Sequence, residues 1–221
     1  MNIETIALFA LTEFLLSLTP GPAVLLVVGL SIRHGFRIGF MATLGILSTN
    51  ALFFTLSALG IGALILASAF LFTILKWAGA AYLVYLGIVM LLPLAKRFWH
   101  RRTPEKGLDL EEARQLSPKS KQTSISSFWQ GFSLQASNPK NLAFFVAILP
   151  QFISPDGNLA LQMGVLGVIS VLLELPILVI YGFASAFSAR VMRETIIEWI
   201  EAVGGTVLIS LGFALASSDR T

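Results

Sequence analysis

The chain has no cysteine, only two histidines, and few charges, with Asp, Glu, Lys and Arg making up 12% of its 221 residues. Without cysteine there are no disulfides, no thiolate metal ligands and no thiol relay. His34 and His100 both fall in short polar stretches, so a zinc site built from histidines inside an apolar segment is excluded. No Gly-Lys-Ser or Gly-Lys-Thr loop occurs, which removes ATP-driven pumping of the phosphate-loop kind. A serine protease of the membrane needs a base beside its serine, and no apolar stretch supplies one.

Apolar surface is what the chain has in abundance. Hydrophobic residues make up 56%, against roughly 45–50% for an ordinary soluble domain with about 25% charge. Apolar stretches run at 4–30, 38–66, 70–93, 128–153, 160–188 and 196–216. Each can supply the ~20 residues needed to cross a hydrocarbon layer ~30 Å thick. This composition predicts an all-α integral membrane protein of about six transmembrane helices. The first stretch has no basic residue before Arg33 and is far longer than the apolar core of a signal peptide, so it is expected to stay in the mature protein.

Twelve of the fifteen basic residues fall between stretches one and two (Arg33, Arg37), three and four (eight, from Lys96 to Lys121), or five and six (Arg190, Arg193). Positive loops stay in the cytoplasm, so both termini and the turn at Ser154-Pro155-Asp156-Gly157-Asn158 are expected on the opposite side. A formal charge of +3 is too small to argue for nucleic acid as a partner. The organisation predicted is a three-helix unit at 1–93, a polar cytoplasmic linker at 94–127, and a second three-helix unit at 128–221. An odd number of spans per half makes the two units inverted repeats.

Two proline clusters break the pattern at matched places. In the first span, Thr19-Pro20-Gly21-Pro22 removes two N–H donors and frees the carbonyls of Leu16 and Leu18. In the fourth, Ser137-Asn138-Pro139-Lys140-Asn141 frees the carbonyl of Gln135. Broken backbone in lipid is tolerated only when buried in protein or lining a wet cavity. Paired breaks of this kind point to a midplane site, where half-helix N-termini attract an anion and freed carbonyls a cation. A zwitterion such as an amino acid needs both. Pro93, Pro150 and Pro176 read more simply as packing kinks.

Glu13, Lys140 and Glu174 lie inside apolar stretches, where charges are expensive and face the bundle interior. Lys140 and Glu174 fall at similar depth in antiparallel neighbours, which makes an ion pair between them geometrically available. Lys140 is a candidate for a substrate carboxylate, and Glu174 for carrying a proton or meeting a substrate ammonium. Glu13, nearer the outer end, is expected to snorkel or to line an exit path. Asn50 and Gln135 complete the candidate lining. Lys76, Trp77, Trp99, Trp129 and Trp199 sit where interface anchors belong. Small residues such as Gly35, Gly39, Gly182, Gly204 and Gly212 permit close helix approach within one chain or in a homodimer alike.

With those segments in place, the sequence resembles the LysE/RhtB family of bacterial amino-acid exporters over nearly its whole length. The resemblance is carried by Ser17-Leu18-Thr19-Pro20-Gly21-Pro22-Ala23, by His34-Gly35 with Arg37, by Leu75 to Leu83 with Leu86-Gly87, by Asn138-Pro139-Lys140 with Pro150-Gln151-Phe152, and by Glu174. It implies six helices in the inner membrane, efflux of amino acids such as homoserine, threonine, lysine or leucine, and drive by the proton gradient, without enzymatic activity or cofactor. Many members carry Asp directly after the Pro-Gly-Pro run, where this chain has Ala23. That departure favours a neutral amino acid or a homoserine lactone over lysine. A metal ion or another small solute is the alternative cargo, and a metal would have to bind through Glu13, Glu174 and carbonyls alone.

Overall fold

The computed structural model describes residues 1–67, 122–154 and 157–187, with scattered helical positions between 74 and 92 and between 206 and 213. The linker from 94 to 121, most of the third and sixth apolar stretches, and Lys76, Pro93, Trp99, His100, Trp199, Gly204 and Gly212 within them lie outside the described residues. So the expectation of six spans in inverted halves falls largely there too. All regular structure among the described residues is helical.

Helix α1 (Ile3–Leu18) starts where the Asn2 side chain accepts from Thr5 N at 2.9 Å, with Glu4 on the positive end of the helix dipole. It stops at Thr19 because neither Pro20 nor Pro22 can donate to the preceding turn. Helix α2 (Pro22–His34) then begins with Pro22 in the first turn, where its missing N–H costs nothing. The pair bends by 48° at the break. Gly35 ends α2 at φ 86°, ψ 161°, a conformation open to almost no other residue. Helix α3 (Phe36–Ala67) follows immediately and runs 32 residues without interruption.

Helix α4 (Ser124–Ala136) is capped by the Thr123 hydroxyl, which accepts from Ser126 N at 3.1 Å. Helix therefore starts four residues inside the stretch assigned to the linker. The fourth span is more fragmented than one proline break suggests. After Ser137 and Asn138 come α5 (Pro139–Ala143), a π-helical turn (Phe144–Ile148) and a 3₁₀ turn (Leu149–Phe152). Pro150 has no N–H to continue the ladder, so it reshapes the end of this segment instead of merely kinking it. Helix α6 (Leu159–Phe187) carries Pro176 within 29 residues and still continues as one element.

Among the described residues α3 and α6 are each long and apolar enough to cross a membrane, and bent α1 and α2 make a third such span when taken together. Helix α3 packs against α2, α4 and α6. Its approach to α4 is set by two glycines. A Cβ on Gly45 would collide with the Phe128 carbonyl, and one on Gly131 with the Ala42 carbonyl. Thr49 Oγ1 donates to Phe132 O at 2.9 Å across the same crossing. Trp77 and Trp129 are each more than half exposed, in keeping with anchors at a membrane margin.

The interior forms two apolar clusters. One gathers Phe9, Leu16, Phe54, Phe144, Phe145, Met163 and Leu166, with Phe54 and Phe145 ring centroids 4.9 Å apart. The other gathers Val24 to Val28, Leu30, Ile46, Leu178 and Tyr181. Along α1 and α2 the change from one cluster to the other falls at the Pro-Gly-Pro break. It falls between Ile46 and Phe54 on α3, and between Leu166 and Ile177 on α6. Thr19 lies at the first of these intervals, Thr49 and Asn50 in the second, and Ser170 and Glu174 in the third.

Candidate solute site

Both breaks exist because of their prolines, and the fold brings them into contact. The Lys140 side chain, in the first turn of α5, crosses to the end of α1. Its ammonium donates to the carbonyl of Leu16 and, at 3.1 Å, to that of Thr19. The methylene stem of the same side chain passes Gly21. Tyr181 of α6 donates to Leu18 O at 3.0 Å, and Asn141 Nδ2 to Gln135 O at 3.3 Å. The three carbonyls that the prolines free, those of Leu16, Leu18 and Gln135, thus each have a side-chain donor. Buried carbonyls need such partners, since a lipid interior offers none.

The ion pair that similar depth made available between Lys140 and Glu174 is not formed. Depth along two helices says nothing about direction around them, and the ammonium is directed at the first break instead. Glu174, 8% exposed, accepts from Asn50 Nδ2 at 2.5 Å. Glu13 neither snorkels nor sits apart. It is 6% exposed and accepts from Ser170 Oγ at 2.6 Å, one helical turn before Glu174 on α6.

These groups surround one cavity of about 60 Å³, room for a few water molecules. Of the candidates drawn from sequence, Glu13, Thr19, Gly21, Asn50, Gln135, Asn138, Lys140 and Glu174 all line it. Pro20, Pro22 and Pro139 do not; they shape the backbone around it. Ser17, Ala23 and Asn141, which the sequence motifs contained without a lining role, also border it, and Phe144, Phe145 and Ser170 are lining residues that sequence reasoning did not single out. For Ser170 a signal existed. Ser170, Glu174 and Tyr181 recur at helical spacing on one face of an otherwise apolar helix.

The two half-helix N-termini differ. Asn138 caps α5 with its own Oδ1, which accepts from Lys140 N at 3.1 Å. Gly21 has no side chain with which to cap α2, the first amides of that helix, those of Ala23 and Val24, have no intrahelical acceptor, and both residues line the cavity. One ammonium, two carboxylates and one uncapped helix start therefore face a common space. Among the described residues no cluster of three or more His, Cys, Asp or Glu is placed to hold a metal ion.

A charged cavity between two apolar clusters, in a bundle of membrane helices broken at that level, is the construction of a membrane solute carrier. The chain belongs to the LysE type translocator family, whose model matches residues 14–219. It is 28% identical over 219 residues to a homoserine/homoserine lactone efflux protein of Salmonella typhimurium, covering 99% of this chain and 98% of that one. An uncharacterized membrane protein of Vibrio cholerae is 30% identical, with 99% of each chain covered. A leucine efflux protein of an Enterobacter species is 26% identical over 84% of this chain and 81% of its own. No solved structure matches the chain significantly.

Proposed function

We propose that the protein exports neutral amino acids or close derivatives, with homoserine, threonine and homoserine lactone favoured, across the bacterial inner membrane at the expense of the proton gradient. The observation that carries this reading is the cavity in which both breaks meet an ammonium, two carboxylates and an uncapped helix N-terminus. A substrate carboxylate fits between the amides of Ala23 and Val24 and the Lys140 ammonium. A substrate ammonium fits against Glu13 and Glu174. Relatives named for homoserine and leucine efflux support the same class of cargo.

Charge balance supports coupling to protons. With all three groups ionised, two carboxylates face one ammonium in a buried space, and one negative charge is left over. A buried charge without a partner is costly. A proton on one of the two acids balances it, whereas a zwitterionic solute brings no net charge, so a proton at Glu13 or Glu174 would accompany the closed site whether or not an amino acid is bound. Ala23 leaves no third carboxylate at the cavity wall, and Lys140 already supplies a cation, which disfavours lysine as cargo.

The reading is tested in a strain deprived of its own exporters, loaded with a panel of amino acids and with homoserine lactone, with and without an uncoupler. Faster release of neutral amino acids or the lactone, abolished by the uncoupler, is the expected outcome. Unchanged release across the whole panel, with the protein present in the membrane, would sink it.

A further inference from the structure

The Lys140 amide is the first link in a chain of hydrogen bonds that crosses three elements. Lys140 N donates to Asn138 Oδ1 at 3.1 Å, Asn138 Nδ2 to Gln135 Oε1 at 3.1 Å, Gln135 Nε2 to Asn50 Oδ1 at 3.0 Å, and Asn50 Nδ2 to Glu174 Oε2 at 2.5 Å. Asn50, Gln135 and Asn138 are all at most 5% exposed. The direction of the chain is fixed at both ends. A backbone N–H can only donate, so Asn138 must turn its oxygen to Lys140 and its nitrogen to Gln135, and each later amide follows. The chain then delivers an N–H to a carboxylate, the one side chain in the series that can end it purely as an acceptor.

Because each amide uses one N–H on one neighbour and its oxygen on the other, the orientation of Asn50 and Gln135 is set before any solute arrives, with one further N–H left on each. We propose that Asn50 and Gln135 are positioning residues, an oriented amide relay that ties the state of Glu174 on α6 to the break in the fourth span, where Asn138 sets the start of α5 and hence the place of Lys140. This rests on the proton-driven reading above.

No proton moves along the relay, since every amide keeps its hydrogens; what passes is orientation. A hydrogen bond to an ionised carboxylate is roughly twice as strong as one between neutral partners. When Glu174 takes a proton, the Asn50 bond weakens, and neighbouring bonds in such a chain weaken with it. Asn138 is then held less firmly, and with it the α5 start that aims Lys140 at Leu16 and Thr19. The charged groups near Glu174 are Glu13 from α1 and Lys140 from α5. The walls from α2, α3 and α4 bring Ala23, Val24, Asn50 and Gln135, none of them charged.

The test uses the full-length protein in proteoliposomes with labelled homoserine and labelled leucine. Two fluxes are compared in the same vesicles, exchange of labelled for unlabelled solute at equal pH and accumulation driven by a pH gradient. For Gln135→Met the ratio of driven flux to exchange flux should fall at least ten-fold, and the pH profile of export should flatten toward that of Glu174→Gln. The double variant with Asn50→Leu should be no worse in that ratio than Gln135→Met alone, since a chain cut once is already cut.

If Gln135→Met does not reach the membrane folded, Asn50→Ser cuts the next link and carries the same expectation. Equal losses in both fluxes, with half-saturation for solute raised in parallel, would make these amides substrate ligands and overturn the relay. A ratio and pH profile like those of the unaltered protein would overturn it as well. If the unaltered protein exchanges solute but the gradient drives nothing, the proton-driven reading fails and the relay with it.

Discussion

Lys140 and Tyr181 do the same task at the first break with different chemistry. Each donates to one carbonyl that Pro20 or Pro22 leaves open, Leu16 or Leu18, but Lys140 does so with a charge and also reaches Thr19 O, whereas Tyr181 uses a neutral hydroxyl. Hydrogen bonds involving a charged group are worth about 1.5–3 kcal/mol each, whereas neutral ones between membrane helices average ~0.6 kcal/mol. Lys140→Met should therefore lower the melting temperature in detergent by several degrees, and Tyr181→Phe by no more than one or two. Lys140→Met should also abolish export, because the cavity loses its only ammonium among the described residues. Equal melting losses for the two variants would show that the ammonium is not what closes the break.

Helix α3 meets α4 backbone to backbone, with no side chain between them at Gly45 and Gly131. Overpacking a tight contact costs typically 1–3 kcal/mol, and here the atoms in the way are main-chain carbonyls that cannot rotate aside. Gly131→Val should force the helices apart, drop the Thr49 to Phe132 bond, and shift Asn50 away from Gln135. The expected result is a lower melting temperature together with lost driven transport; Gly164→Val, at a glycine with open space around it, serves as the control. Equal behaviour of the two would mean that this crossing is not tight. The breaks themselves were legible in the sequence because proline acts locally: it removes a donor at a known place and frees a known carbonyl. The partner of each freed carbonyl was not legible, because Lys140 and Glu174 share a depth but not a direction, and a tyrosine or serine inside a span has many bland uses. The π and 3₁₀ turns after Ala143 were missed for a related reason, since Pro150 marks that a ladder must change without saying which pitch replaces it.

Among the described residues, the polar layer lies between two apolar clusters. Phe9, Phe54, Phe144 and Phe145 pack on one side of it, and Val24 to Val28 and Leu30 with Ile46 and Leu178 on the other. A carrier must open these one at a time, so which cluster faces the periplasm decides which way a solute leaves. The aromatic cluster is expected outside, because the same helices end in Arg33 and Arg37 at their opposite ends and positive loops stay in the cytoplasm. The natural absence of cysteine makes this directly measurable, because any single cysteine introduced is the only thiol in the chain. Glu4→Cys, near the aromatic end, should react with an impermeant maleimide in intact cells whose outer membrane has been opened, and Ser117→Cys in the basic linker only after the inner membrane is permeabilised. The reverse pattern would turn the molecule over, put the aromatic layer against the cytoplasm, and make export start from the side on which this arrangement has it end.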